Sequence, residues 1–317
     1  MHTPMTSSTT IRSGLGIFAL GLISVAVLNA CGGGDPVKVP VAQTTSTIET
    51  YLTSSGSTTA TFAANANLRY LIQGPGKDTV GAYSNTALLD QNGSGTAADI
   101  DFGPSGAVIR LGASTLADVS ASDKYAVQKI KGDTYFAQGR WSKGAVNNAG
   151  GSVTLTGTSN QAFHYLAFNA LNAFPVGAVT KNCARLYETG ATYVGDTRVG
   201  ETTTVGVAGL GGQVQIVFDG LGNADVPINV VVASKYPSPS LNSVISENFR
   251  FTLADSAPAS AVFQTSRNYS VPGLGNMAIL GAGDALGNGA VILLGVGYRI
   301  QLDNGYNFQG LLSMSCS

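Results

Sequence analysis

Short stretches in which apolar and polar residues alternate, separated by clusters of turn-forming residues, constrain this chain more than any other feature. From Tyr51 onward no stretch holds the 3.6-residue helical period, whereas "AVIRLGA", "DTYFAQGRW", "GSVTLTG" and "QAFHYLAF" are β-rich and bounded by Gly, Asn, Ser and Asp. Alternation of this kind is the mark of antiparallel sheet with polar turns. Beyond Pro175 the pattern is regular enough to set out eight candidate strands: Gly177 to Tyr187, Glu201 to Ala208, Gln213 to Asp219, Val226 to Ser234, Glu247 to Leu253, Gly275 to Leu280, Gly289 to Leu302 and Tyr306 to Cys316. In the third, Val214, Ile216 and Phe218 face one way and Gln213, Gln215 and Val217 the other. Asp303-Asn304-Gly305 is a strong turn signal between the last two. Eight such strands invite closure into an up-and-down barrel, which removes the edges an open sheet would have to protect. The one place where a short helix is expected is "TLADVSASDKYAVQKI". The low charged fraction of 11% and the 41 glycines agree with many short strands and tight turns and disfavour a helical bundle.

The N-terminal region has a different logic. After Arg12 the chain runs without a charge from Ser13 to Gly34, with "GIFALGLISVAVL" at its centre. That is a charged start followed by an apolar core, as in a secretory signal peptide. An uncleaved membrane anchor is the alternative, since about 20 apolar residues span a bilayer. The run ends in Leu28-Asn29-Ala30-Cys31, which resembles the lipobox of bacterial lipoproteins. The resemblance implies cleavage before Cys31, diacylglycerol on its thiol and an acyl chain such as palmitate on the new amino group. Gly32, rather than Asp, follows the cysteine, so the resemblance implies the outer membrane, on its periplasmic face or at the cell surface. "GGGDPVKVPVAQTTST" then reads as a tether too polar and too rich in Gly and Pro to pack.

With Cys31 committed to lipid, Cys183 and Cys316 remain. In an oxidising compartment they are most simply one disulfide, with two buried free thiols as the alternative. In a closed barrel the first strand pairs with the last, and those two strands carry these cysteines. A bridge there would staple the seam and, closing a loop of more than a hundred residues, contribute about 4 to 5 kcal/mol.

"GRWSKGAV" (Gly139 to Val146), then "NQAFHYLAF", a Pro, a strand opening at Gly177 and the hairpin "GVGYRIQLDNGYNFQGLLSM" together resemble the C-terminal barrel region of proteins similar to transferrin-binding protein B. The resemblance covers Gly139 to the C-terminus. It implies an all-β chain with a handle-like N-terminal antiparallel β-domain followed by an eight-stranded up-and-down barrel. The chain is too short for two such lobes, so a single lobe is expected and transferrin is not carried over as ligand. The expected organisation is a signal peptide over 1–30, a flexible tether over 31–50, the N-terminal β-domain over 51–175 and the barrel over 176–317.

Chemical constellations are sparse. A formal net charge of -1, with no run of Lys or Arg, gives no reason to expect nucleic acid. No G-x-S-x-G, H-E-x-x-H or C-x-x-C motif occurs, the Gly-rich "GPGKD" and "GAGDALGNG" fit no nucleotide fingerprint, and no cofactor is expected. His164 is the one histidine left after processing. Alternation puts it on a strand face with Ala162, Leu166 and Phe168, as a packed, hydrogen-bonded residue or else a general base. Asp99 and Asp101, two apart, would point the same way on a strand and could hold a hard cation, the alternative being a solvated face or turn, and no metal is assigned. Trp141 reads as a core or domain-junction residue with Arg140 facing outward, or as a binding hot spot beside it.

These features lead to an expected non-enzymatic lipoprotein. The bilayer holds it through Cys31, and loops such as Pro237 to Val244 and Ser256 to Gln264 present a surface to a protein or small-molecule ligand, with iron-source capture as one subclass. Arg140, Trp141 and His164 are the candidate binding residues. A structural or assembly factor of the outer membrane or a secretion system is the alternative, and a hydrolase acting through His164 or a carboxylate pair is a third.

Overall fold

Alternation in the sequence becomes sidedness in space. Val214, Ile216 and Phe218 are buried while Gln213, Val217 and Asp219 are exposed, and on the next strand Ala224, Val226, Ile228, Val230 and Val232 are all buried. The computed structural model describes residues 44–45, 60, 62–64, 66–74, 78–79, 82–83, 91–103, 106–117, 126–148, 151–157, 162–193, 203–209, 213–234, 241–252, 263–265, 276–284, 289–301 and 307–317. The apolar segment, Cys31 and most of the expected tether lie outside these residues.

Among the described residues the chain is almost entirely strand, every ladder is antiparallel, and the helical content is one 3-10 turn at Ala97–Asp99. The helix expected over "TLADVSASDKYAVQKI" is not formed where it is described: Ser114–Ala117 and Val127–Gly132 are strands, because their apolar residues alternate and bury against a sheet.

Strands are numbered in chain order. A first sheet runs β12 (Gly151–Thr156), β11 (Lys143–Asn148), β8 (Ser114–Ala117), β7 (Val108–Leu111) and β6 (Ile100–Phe102). A second places β2 (Asn67–Gln73) between β5 (Gln91–Thr96) and β13 (Phe163–Ala170), and continues through β10 (Phe136–Trp141) to β9 (Val127–Gly132). Leu68, Ile72, Leu111, Val127, Trp141, Val146, Phe163 and Tyr165 fill the space between these two sheets. β3 (Asp78–Thr79) and β4 (Ala82–Tyr83) form a separate small hairpin.

The remaining strands form a long run: β19 (Leu241–Thr252), β18 (Asn223–Ser234), β17 (Gln215–Asp219), β14 (Ala178–Glu188), β23 (Asn307–Cys316), β22 (Ile292–Gln301), β21 (Asn276–Ala282) and β20 (Phe263–Thr265). β16 (Thr203–Ala208) pairs with the far half of β18, end to end with β17, so two of the eight expected strands share one place. Pro227 falls in the gap between these two ladders and pairs with Asn248 of β19 on its other side. β20, overlapping the end of the segment expected to be a loop, takes the eighth place.

β1 (Thr44–Thr45) pairs with β16, so the end of the expected tether is strand rather than slack. β15 (Thr192–Tyr193) pairs with β23. One face of the run carries a second core, including Ile216, Phe218, Val226, Ile228, Leu280, Leu294, Tyr298, Phe308 and Met314. Cys183 and Cys316 sit directly opposite each other on β14 and β23 and form a disulfide that closes a separation of 133 residues. Among the described residues no ladder joins β19 to β20, although their Cα atoms come within 8 Å. Val39–Ser317 makes one compact unit, and β13 and β21 pair at Asn169–Ala282 and Ala170–Gly281.

Candidate functional site: a buried polar junction

The outer face of β2, β13, β10 and β9 and the outer face of β21, β22 and β23 pack against each other. At one end the contact is apolar, with Leu71, Phe136, Leu166, Phe168, Met277, Ile279, Leu293 and Leu311 together, and Phe136 stacked on Tyr187 with centroids 5.6 Å apart. Glycines permit this closeness. A Cβ at Gly281 would overlap Phe168 and one at Gly295 would overlap Leu166, so the large side chains of β13 nest where the facing strands carry none.

At the other end the contact is polar. Gln73, Gln128, Gln138, Arg140, His164, Thr189, Thr192, Arg299, Gln309 and Ser313 are all buried. Ser313 donates to Gln138 Oε1 (2.6 Å), Arg299 Nη2 to the Gly74 carbonyl (3.1 Å), and Gln73 Nε2 and Gln309 Nε2 make longer contacts to the Tyr298 and Ala162 carbonyls (3.4 Å each). Each of these bonds joins one sheet to the other or to the segment leading into it. Within its own sheet, Arg140 donates from Nε and Nη2 to Gln128 Oε1 (3.1 and 2.6 Å), and Arg299 Nε donates to Gln309 Oε1 (3.0 Å). A bulge in β9 makes the first of these possible. The β9–β10 register shifts between Gln138 and Arg140, and Lys129 takes a left-handed conformation, φ 54°, turning Gln128 to the junction and Val127 and Ile130 to the core.

His164 lies within this layer and is 0% exposed. Its Nδ1 is 2.6 Å from Thr189 Oγ1 and its Nε2 is 2.6 Å from Thr192 Oγ1. The Thr189 hydroxyl already donates to the Leu311 carbonyl (3.1 Å) and accepts from the Leu311 amide (2.9 Å), which leaves it one lone pair. Nδ1–H therefore donates to Thr189, and Nε2 accepts from the Thr192 hydroxyl. Burial, and after it the positive charges of Arg140 and Arg299, hold the His164 pKa well below its usual 6.5, so the ring is neutral at pH 7. Burial also lowers Arg140 to about 10, opposed by Tyr298 and Glu188. It stays charged.

The expected site residues thus meet, but away from solvent. Trp141 is fully buried, donates from Nε1 to the Val108 carbonyl (2.6 Å) and packs 5.5 Å from Tyr165. Arg140 does not face outward into water: alternation turns it away from Trp141, and the β22–β23 face covers it. Neither residue is at the surface, and His164 is enclosed between two hydroxyls.

Asp99 and Asp101 do not share a strand face. Asp99 closes the 3-10 turn, accepting from the Thr96 amide (2.7 Å) and hydroxyl (3.2 Å). Asp101, on β6, accepts from Arg110 Nε (2.6 Å) and Nη2 (2.9 Å), and this hydrogen bonding holds its pKa below the usual carboxylate value. Among the described residues no group of three His, Cys, Asp or Glu could hold a metal ion.

The proposed ligand loops divide. Val244 lies within β19 and Gln264 within β20, while 237–240 and 256–262 lie outside the described residues. Ser234 pairs with Leu241 and Asn223 with Thr252, so the segments that follow Ser234 and Thr252 leave opposite ends of the β18–β19 ladder. Sequence reasoning missed the junction glutamines, Arg299, Thr189 and Thr192. Their signal was polar residues at alternate positions of a strand that is otherwise apolar, as in Gln138 and Arg140 of β10.

Fold and junction define an all-β protein of antiparallel sheets with one disulfide and two apolar cores joined through a polar layer. The chain matches no known family model, no curated protein and no solved structure.

Proposed function

We propose that this chain is a lipid-anchored, non-enzymatic binding protein of the outer membrane, whose β14–β23 run closes as an eight-stranded barrel beside a handle-like sandwich. The anchor reading rests on Leu28-Asn29-Ala30-Cys31. The single observation that best supports the barrel is the run from β19 round to β20, whose first and last members come within 8 Å of each other. The burial of His164 and the engagement of Asp99 and Asp101 within the protein favour binding over hydrolysis, because neither set is open to a substrate.

A ligand would then be taken by loops and not by Arg140, Trp141 or His164. Those loops stand on a rigid scaffold, as binding loops commonly do. The ligand class that follows from the resemblance is a protein or small iron source. Protease shaving of intact cells is the test. Loss of the folded domain without lysis supports surface display; full protection sinks the surface-binding version and favours an assembly factor on the periplasmic face. Loss of labelled palmitate incorporation in C31S tests the anchor separately.

A further inference from the structure

One end of the β14–β17–β18 sheet is apolar and open. The connection before β14 and the turn between β17 and β18 meet there: a Cβ on Gly220 would lie 2.7 Å from the Ala178 amide nitrogen, so the two segments are in contact. Together they line a shallow groove of about 270 Å³, with Phe174, Pro175, Val176 and Phe218 on its walls and no charged side chain among the lining residues. Phe174 meets Phe218 edge to face at 5.2 Å. At its rim stand Val176, 103% exposed, and Leu221, 87% exposed; among the described residues the other exposed large apolar ones, Ile109 and Val217, reach only 37% and 40%.

The tip is stiff as well as apolar. Asp219 Oδ1 accepts from the Leu221 amide (2.7 Å) and the Asn223 amide (3.0 Å), and Oδ2 accepts from Asn223 Nδ2 (2.5 Å). Leu221 is thereby held outward with its backbone donor satisfied. Little ordering remains to be done on contact.

We propose that this tip, Phe174 to Gly177 with Phe218 to Asn223, is a second membrane contact that seats in the interfacial layer of the bilayer holding the acylated Cys31. The proposal rests on the anchor reading. Chain length is what selects a bilayer as the occupant. Thr44 pairs with Val205, Val205 pairs with Val232, and from Val232 to Asn223 is nine residues of one strand, about 30 Å at 3.3 Å each. The thirteen peptide units from Cys31 to Thr44 span at most about 45 Å. An acylated Cys31 is therefore long enough in tether to share a bilayer with the tip.

Charge at this end points to apolar rather than electrostatic docking. Lys181 donates to the Ala290 carbonyl (2.9 Å), Asp284 accepts from the Val291 amide (3.3 Å), and Asp219 closes its turn. With Asp225 of β18 and the paired Arg250 of β19 counted, two cations stand against three anions among the described residues here, which gives no attraction to acidic lipid. Seating should occur on zwitterionic vesicles and be insensitive to salt.

The test uses the full acylated chain reconstituted in phosphatidylethanolamine–phosphatidylcholine vesicles with or without brominated acyl chains. In L221W the emission of the introduced indole should fall about twofold with brominated lipid, equally at about 0.1 and 0.5 M salt. Buried Trp141 serves as the control, since the unsubstituted chain should show no such fall. Adding V176D to L221W should abolish it. Mass spectrometry of Cys31 keeps the two readings apart. Acyl chains present without quenching overturn the membrane contact and leave the anchor standing. Acyl chains absent sink the anchor reading, and the tip is then judged by adding the same vesicles to the same chain, quenching sustaining it and its lack overturning it. A blue shift in L221W that grows with protein concentration without lipid identifies a second copy as the occupant and also overturns the proposal.

Discussion

Lowering the pH from 7.5 to 4.5 should remove stability through one residue, His164. In the folded chain its ring is fully buried, with Thr189 and Thr192 on its two nitrogens and Arg140, Arg299, Tyr298 and Glu188 as the titratable or charged groups nearby. Burial and the two arginines depress its folded pKa, whereas in the unfolded chain it takes up a proton near 6.5. The depressed folded pKa makes the stabilisation complete above the unfolded value, and it is lost as the pH falls below 6.5, because only the unfolded state gains the proton. Well below pH 6.5 each further pH unit costs up to about 1.4 kcal/mol, until the folded-state pKa is reached. Against a typical stability of about 5–15 kcal/mol this is easily measured. Urea unfolding of the wild type and H164Q at half-unit intervals is the assay. Glutamine keeps one donor and one acceptor and does not titrate. The wild-type free energy should bend downward below pH 6.5 and the H164Q curve stay flatter to pH 4.5. Equal slopes for the two proteins would refute the reasoning, and so would a flat wild-type curve. Asp101, whose bond to Arg110 lowers its pKa, titrates below its usual 3.8 and lies outside this window.

Arg140→Met should shrink that acid loss, because it removes one of the two cations that depress His164; the R140M curve should level off at a higher pH than the wild type, and an unchanged curve would place the effect in burial alone. Gly139→Ala should destabilise by about 1–3 kcal/mol, read from the urea midpoint, because its Cβ would overlap the ring of Tyr165 directly across the ladder and that ring is fixed against Trp141. Reduction of the Cys183–Cys316 bridge should lower stability by about 5 kcal/mol from the 133-residue separation, seen as a fall in Tm on adding reductant, while the doubly substituted C183A/C316A chain should not respond to reductant at all.

Strand positions were legible because burial there follows a local period. Val214, Ile216 and Phe218 needed only their own neighbours to be assigned a face, and the facing of Cys183 and Cys316 follows from first-to-last pairing. His164 was assigned its strand face with Ala162, Leu166 and Phe168 correctly, but what covers that face comes from Arg299, Gln309, Leu311 and Ser313, well over a hundred residues later. The same gap accounts for Arg140. Alternation says only that it points away from Trp141, and whether water or a second sheet lies on that side is a matter of long-range packing. β20 was missed for another reason: three residues, Phe263–Thr265, are too few to show a period. For Asp99 the turn is the alternative that holds: Thr96 and Asp99 form a capping box, a signal that spacing to Asp101 alone does not reveal.

The junction also bears on how the two apolar cores are coupled. The chain passes from β13 to β14 through residues 171–177, the kind of short connection at which two units could hinge. Three things oppose that motion. β13 and β21 share ladder pairs at that point, Leu166 and Phe168 fill the space above Gly295 and Gly281, and the polar layer bonds across the junction from Ser313 to Gln138 and from Arg299 to the Gly74 carbonyl. Opening the junction partway would not let water in evenly. It would break bonds between buried polar groups before the guanidinium groups could be solvated, and a buried polar group left unpaired costs about 1–3 kcal/mol, more when charged. Intermediate openings are therefore the costly ones. A layer of this kind holds a fixed geometry better than an apolar contact of equal area, because apolar faces can slide while directional bonds cannot. The sandwich and the β14–β23 run are consequently held in one constant arrangement.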